Sequence, residues 1–254
     1  MNELDARFLN KPLAHRGYHD LARGIPENSR AAFLAAIDAG YGIELDVQMS
    51  LDRRAMAFHD DELDRLTNET GPVRSRSAAE LAAIRLKGGT EAVPTFREVL
   101  DLVAGSVPLL IEIKDQDGSM GRNVGALESE IAKDLKGYDG PVAVMSFNPN
   151  SVAAFSNVAP DITVGLVTDP YFEEHWPDLP DNRRSELRNI PDYERVGASF
   201  ISHLQADLSN PRVAELKRQG AKILCWTVRS ERQENVARKY AENITFEGYA
   251  AAIP

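Results

Sequence analysis

A (β/α)8 barrel is the fold class that this 254-residue sequence predicts. Three observations carry it. Short apolar runs recur along the chain, helix-spaced apolar patterns lie between most of them, and the length is near the about 250 residues of one such barrel. Hydrophobic residues make up 43% and charged residues 27%, as in a soluble globular chain able to bury a sizeable core. We expect one domain over residues 1–254.

The candidate strands are residues 12–15, 42–47, 108–114, 141–146, 162–167, 198–202, 221–227 and 243–246. Between them, Phe33, Leu34 and Ile37 share a helix face ahead of Gly40. Phe96, Val99, Leu100 and Val103 follow the i, i+3, i+4, i+7 spacing after Thr95. Leu127, Ile131 and Leu135 stripe a helix that stops at Gly137, and Asn210-Pro211 opens another that stops at Gly220. Ser230 with Gln233 reads as a capping box. Strands alternating with helices give a parallel sheet, and eight such units favour closure over an open, doubly wound sheet.

One extended run, 55–59, breaks the rhythm. Only Leu51 to Arg54 separate it from the second strand, too few for a parallel crossover, so an antiparallel hairpin is the feasible geometry. Pairing across that turn returns His59 opposite Leu45, between Glu44 and Asp46. Residues 60–90 are then an insertion before the helix at Thr95.

A formal charge of −10 and no basic stripe argue against nucleic acid as a partner. No window is long and apolar enough for a membrane span, and the first eleven residues lack a signal-peptide pattern, so a cytoplasmic address is expected. Cys225, the single cysteine, sits in the apolar run Ile223 to Trp226 and reads as a small buried residue, not a nucleophile.

Residues two apart on a strand face the same side, so Glu44 and Asp46 pair up, as do Glu112 and Lys114 on the next strand. Both pairs lie late in their strands, where a barrel opens its site. Three carboxylates at one rim form an oxygen-only nest for a hard cation, Mg²⁺ or Ca²⁺. His15 ends the first strand and His59 ends the hairpin, near this nest, with Arg16 and Lys114 as basic groups. Phosphodiester hydrolysis needs that set: a base for the nucleophile, an acid for the leaving alkoxide, and positive charge on the phosphoryl group.

The series His15-Arg16-Gly17, Pro26-Glu27-Asn28, Glu44-Leu45-Asp46-Val47, Phe58-His59-Asp60, Ile111-Glu112-Ile113-Lys114 and Trp226-Thr227-Val228 resembles the motifs of the glycerophosphodiester phosphodiesterase family in order and spacing. The resemblance implies a distorted (β/α)8 barrel with the insertion after its second strand. It implies a divalent metal on Glu44, Asp46 and Glu112, and acid–base work by His15 and His59. It also implies phosphate contacts from Arg16 and Lys114. Trp226 would wall the glycerol, and Glu27 would help cap the first helix. His203 reads as structural, and residues 170–196 as a loop with a short helix of its own.

Two positions depart from the family pattern: Arg229 stands where Asn is common, and the last strand runs on as Thr245-Phe246-Glu247-Gly248. Both are expected on the substrate side of the rim, away from the histidines. The expected reaction converts a glycerophosphodiester and water into sn-glycerol 3-phosphate and an alcohol, with His15 as the first base. The partner is thus a small molecule. The alternatives are a lysophospholipase D activity on lipid substrates and a barrel that binds a phosphorylated ligand without turnover.

Overall fold

In the computed structural model, which describes residues 2–254, eight parallel strands close into a barrel. They are β1 (Leu13–Ala14), β2 (Gly42–Met49), β4 (Leu109–Ile113), β5 (Val142–Ser146), β6 (Thr163–Thr168), β7 (Phe200–Leu204), β8 (Lys222–Val228) and β9 (Asn243–Phe246). β3 (Ala55–Ala57) joins the same sheet antiparallel to β2. β1 closes the ring by pairing with β2 on one side and β9 on the other. The α/β barrel read from the sequence is therefore the observed architecture. β1 is shorter than expected because Pro12 has no N–H to donate, and the chain leaves the sheet at Arg16, whose φ is 56°.

The helices are α1 (Arg7–Asn10), α2 (Arg30–Asp38), α3 (Ala78–Leu81), α4 (Phe96–Val103), α5 (Ala126–Leu135), α6 (Pro149–Val158), α7 (Asp181–Leu187), α8 (Pro211–Arg218) and α9 (Glu231–Ala237). In α4 all four periodic residues are buried, and Thr95 with Glu98 forms a full capping box. In α2 the buried face is Ala32, Phe33 and Ala36, so Leu34, expected inside, is 46% exposed. One residue past Phe33 turns a side chain about 100° around the helix, enough to carry it off a narrow face. Ser29, not Glu27, caps α2 by accepting from the Ala32 amide. At α9, Ser230 accepts from the Gln233 amide, but the Gln233 side chain accepts from the Arg229 amide instead of closing the box.

Strand alternation divides the core in two. Leu13, Leu110, Ala143, Met145, Val167, Phe200 and Leu224 form one cluster, joined by Leu4 and Phe8 from the N-terminal segment. The alternate residues, among them Ile43, Leu45, Ile111 and Ile223, pack with the helices. Gly165 makes room for Phe200: a Cβ there would fall 2.4 Å from the ring. Because Glu44, Asp46 and Glu112 share the parity of Leu110, the strands carry them on the Leu110 face, above the apolar layers.

After β3, residues 58–93 gather a small cluster of their own from Phe58, Leu63, Val73, Leu81, Leu86 and Val93. Residues 170–196 contain α7, and Tyr171, Leu179 and Leu187 pack there with Met120.

Candidate active site

The register of β2 with β4 sets Asp46 beside Glu112, and Glu44 lies on the same face one step down. The three residues offer carboxylate oxygens all within 4.8 Å of one another, and all three side chains are buried. Burial first, then repulsion from Asp46 and Glu112, pushes the Glu44 pKa well above the usual carboxylate range. Burial would raise Asp46 too, but the charges of His59, Lys114 and Arg16 outweigh it and hold Asp46 far below. Like charges this close, with oxygen donors only, suit a hard divalent cation.

Cationic groups and one amide ring the nest. Lys114 Nζ lies 2.8 Å from Glu112 Oε1 and 3.5 Å from Asp46 Oδ1. Arg16 donates its amide to Glu44 Oε2 at 3.0 Å and its guanidinium to Glu27 at 2.6 Å. Its Nε, 3.4 Å from Asp46, is buried with no hydrogen-bond partner. Asn28 donates to Asp46 Oδ2 at 3.0 Å and accepts from the Asp46 amide at 3.3 Å. Arg16 and Asn28 both adopt left-handed backbone, at φ 56° and 52°, and the Asn28 amide bonds the Arg16 carbonyl at 2.9 Å. Such strain in residues other than glycine persists where the surroundings over-determine it, as they do here.

Each expected histidine is held through Nδ1 by a carboxylate that an arginine holds in turn. His15 Nδ1 donates to Glu247 Oε2 at 2.5 Å, and Arg229 Nε donates to Glu247 Oε1 at 2.6 Å. His59 Nδ1 donates to Asp60 Oδ1 at 2.6 Å, and Arg65 bonds both oxygens of Asp60 and both of Glu27. With Nδ1 engaged, Nε2 is the nitrogen left for chemistry on each ring. Burial lowers the His15 pKa despite the bond to Glu247, so the ring is neutral at pH 7. His59 comes to the rim beside Glu44 and Glu112, although the paired run is shorter than the expected 55–59. The ladder ends at Val47 with Ala57, and the Phe58 amide bonds the Asp46 carbonyl at 3.1 Å just beyond it.

The two departures noted in the sequence thus fall beside a histidine, against expectation. Residues just past β1 and β9 are neighbours because the strands are, and the His15 amide bonds the Phe246 carbonyl at 2.9 Å. Glu247, Asn28, Asp60 and Arg65 are the site residues that sequence reasoning missed. Closure of the first strand on the last was the available signal for Glu247. Glu27 pairs with Arg16 and Arg65 and caps nothing.

Trp226 donates Nε1 to the Ser202 carbonyl at 3.1 Å and meets Phe147 edge-on at 5.5 Å. It walls an inner cavity of about 120 Å³ that His15, Arg16, His59 and Thr245 also line. A wider recess of about 570 Å³ adjoins it, sharing His59, Glu112, Lys114, Phe147 and Trp226. His203 is buried between Thr168 and Asp207, the structural role expected of it. Cys225 is buried, which pushes its thiol up to about 12 and leaves it inert.

A family model described as the glycerophosphoryl diester phosphodiesterase family matches residues 15–244. Among curated proteins, the glycerophosphodiester phosphodiesterase of Caldanaerobacter subterraneus subsp. tengcongensis is 30% identical over 235 residues, 89% of this chain and 88% of its own. That of Bacillus altitudinis is 32% identical over 180 residues, 67% of this chain and 71% of its own. The solved structure of an Oleispira antarctica phosphodiesterase, in complex with the product sn-glycerol-3-phosphate, has the same fold. Its TM-score is 0.77 at 23% identity, over 96% of this chain and 94% of that one.

Proposed function

The chain belongs to the glycerophosphoryl diester phosphodiesterase family, hence to the phosphoric diester hydrolases, and from that premise we propose a metal-assisted cleavage of glycerophosphodiesters by His15 and His59. The products are sn-glycerol 3-phosphate and an alcohol. One observation carries this reading: two histidines, each with Nδ1 tied to a carboxylate, line one small cavity with two members of a three-carboxylate nest, Glu44 and Glu112.

Glu44, Asp46 and Glu112 would hold the cation, and the donor set fits Mg²⁺ or Ca²⁺ better than Zn²⁺. When bound, the cation would supply Lewis-acid polarisation of a phosphoryl oxygen. The unpartnered Arg16 Nε and the Lys114 ammonium receive the phosphate, and the buried Thr245 hydroxyl, also unpartnered, faces the same cavity for a substrate hydroxyl. His15, neutral and in the inner cavity, takes the proton of the attacking hydroxyl at Nε2. That hydroxyl belongs to water or to the glycerol itself; in the second case a cyclic phosphate forms as the alcohol leaves, and water then opens it to glycerol 3-phosphate. His59 lines both the inner cavity and the recess, which supports a role for it on the leaving side. Protonated, it gives its Nε2 proton to the departing alkoxide as the phosphorus–oxygen bond breaks. Glu247 and Asp60 keep each ring in the tautomer that exposes Nε2.

A binding barrel without turnover would not need two tethered imidazoles. The lysophospholipase D reading shares this chemistry and differs in what fills the recess. No helix among the described residues is long and apolar enough to cross a membrane. The test is release of glycerol 3-phosphate from glycerophosphocholine, glycerophosphoethanolamine and a lysophospholipid. Chelator should abolish it and Mg²⁺ or Ca²⁺ should restore it. Full activity in chelator would remove the metal from the mechanism.

A further inference from the structure

The recess of about 570 Å³ beside the catalytic cavity falls within the usual size of a small-ligand pocket. Phe147, Trp176 and Trp226 make one side of it. Phe147 meets Trp176 edge-on at 5.0 Å and Trp226 at 5.5 Å, so the three rings form a continuous wall. Trp176 is fixed there: its Nε1 donates to Asp169 at 2.9 Å, and Tyr171 packs on it at 5.4 Å.

The carboxylates of Asp115 and Asp169 line the same recess. Their oxygens are already engaged. Asp115 accepts from the Met120 amide and from Asn148 Nδ2, at 3.0 and 2.8 Å. Asp169 accepts from the Tyr171 amide at 2.8 Å and from Trp176. Burial raises both pKa values, but each carboxylate keeps these donors as support for its charged form. With Asp60, Asp61 and Glu112 on its catalytic side, the recess offers carboxylates and aromatic rings, and along the aromatic wall the oxygens of Asp115 and Asp169 already have donors. Lys114 lies at the phosphate end, paired with Glu112 and Asp46, and His59 and His175 are the other basic groups on the wall.

We propose that this recess is the leaving-alcohol subsite and that it selects alcohols carrying a quaternary ammonium, with Trp176 as the specificity-determining residue. The idea rests on the phosphodiesterase reading of the adjoining cavity. A quaternary ammonium is drawn to ring faces and carboxylates and asks for no hydrogen bond. A polyol must surrender water without finding partners, and a primary ammonium loses part of its hydration for the same reason. The substrate then lies with its phosphate toward Arg16 and Lys114 and its cation against the aromatic wall, and His59 stands between.

The chain has two tryptophans, and both line the recess, so their fluorescence reads its occupancy without turnover. Titration with tetramethylammonium should give a saturable change that ammonium and glycerol do not reproduce. The Trp176→Leu protein, which keeps an apolar side chain but no ring, should bind the probe several-fold more weakly. In turnover, kcat/KM for glycerophosphocholine should exceed that for glycerophosphoglycerol by about tenfold or more, the reach of a desolvated cation–π contact. Trp176→Leu should cut that ratio by about fivefold, and Asp115→Asn should lower it in the same direction. No saturable change with tetramethylammonium, or equal rates for the two diesters, would overturn the proposal. Failure to cleave any glycerophosphodiester would sink the phosphodiesterase reading, and the fluorescence titration would still decide the cation subsite.

Discussion

Glu247 is the residue whose role most separates this chain from the motif series it resembles. Burial alone would raise its pKa, but the hydrogen bond from His15, the neighbouring His19 and the charge of Arg229 hold it far below the carboxylate range. Its charge in turn raises the His15 pKa against the larger effect of burial. Glu247→Gln keeps an acceptor and removes the charge, so His15 should become a weaker base. Activity should fall about tenfold or more, since the charge also steadies the imidazolium formed during proton transfer. The acidic limb of kcat/KM should move to lower pH, because a base of lower pKa stays unprotonated further into acid. A pH–rate profile of the variant checks both, and an unmoved limb would assign Glu247 a packing role alone. Sequence reading reached His15, His59 and the three carboxylates because strand parity and chain rhythm place them. It missed Glu247 and Asn28 because their parts depend on contacts between separate segments: Glu247 lies 232 residues from His15, and Asn28 meets Asp46, 18 residues on, with α2 between them.

The hairpin of β2 and β3 delivers His59, and α4 anchors it. The Ala57 amide donates to the Pro94 carbonyl at 2.9 Å, and Met56 bridges to Thr95. Thr95 also caps α4 with its hydroxyl, so one residue serves the helix through its side chain and the hairpin through its backbone. Thr95→Ala should remove the cap and keep the stitch. Stability should drop by about 1 kcal/mol in a urea melt, with kcat on glycerophosphocholine near that of the unaltered chain. A large loss of kcat at unchanged stability would mean that the cap tunes the hairpin. The strands, α4, α5 and α8 were legible because their periodicity is strong and their stops are glycines. The narrow face of α2 was misread at Leu34, where seven apolar residues in a row, Ala31 to Ile37, gave no unique phase. α7 lay inside a charged stretch whose pattern was no guide to its bounds.

Across the whole molecule, depressed carboxylates bind the rim together. Burial raises Asp60, but bonds from His59 and Arg65 outweigh it and hold it below the usual range; Glu27 is likewise lowered by Arg65 and Arg16 despite burial. With Glu247 these groups have folded pKa values below their unfolded ones. Their contribution to stability is complete above about pH 4–5, the unfolded range, and is lost as pH falls toward the folded values. The melting temperature should therefore be nearly flat from pH 7 to about 5 and fall steeply below, by an amount that shrinks when Asp60 and Glu247 are both replaced by amides. A melting curve equally steep in that double variant would place acid sensitivity elsewhere.

The division of labour between the two histidines is read from the leaving group. The measurement is kcat of His59→Ala on glycerophosphocholine and on the p-nitrophenyl diester of glycerol phosphate, at equal metal and pH, beside His15→Ala. An alkoxide needs a proton to depart, and a nitrophenolate does not. His59→Ala should lose about 10² or more on the choline diester and far less on the aryl diester, while His15→Ala should lose heavily on both. Equal losses on the two substrates for His59→Ala would contradict that division.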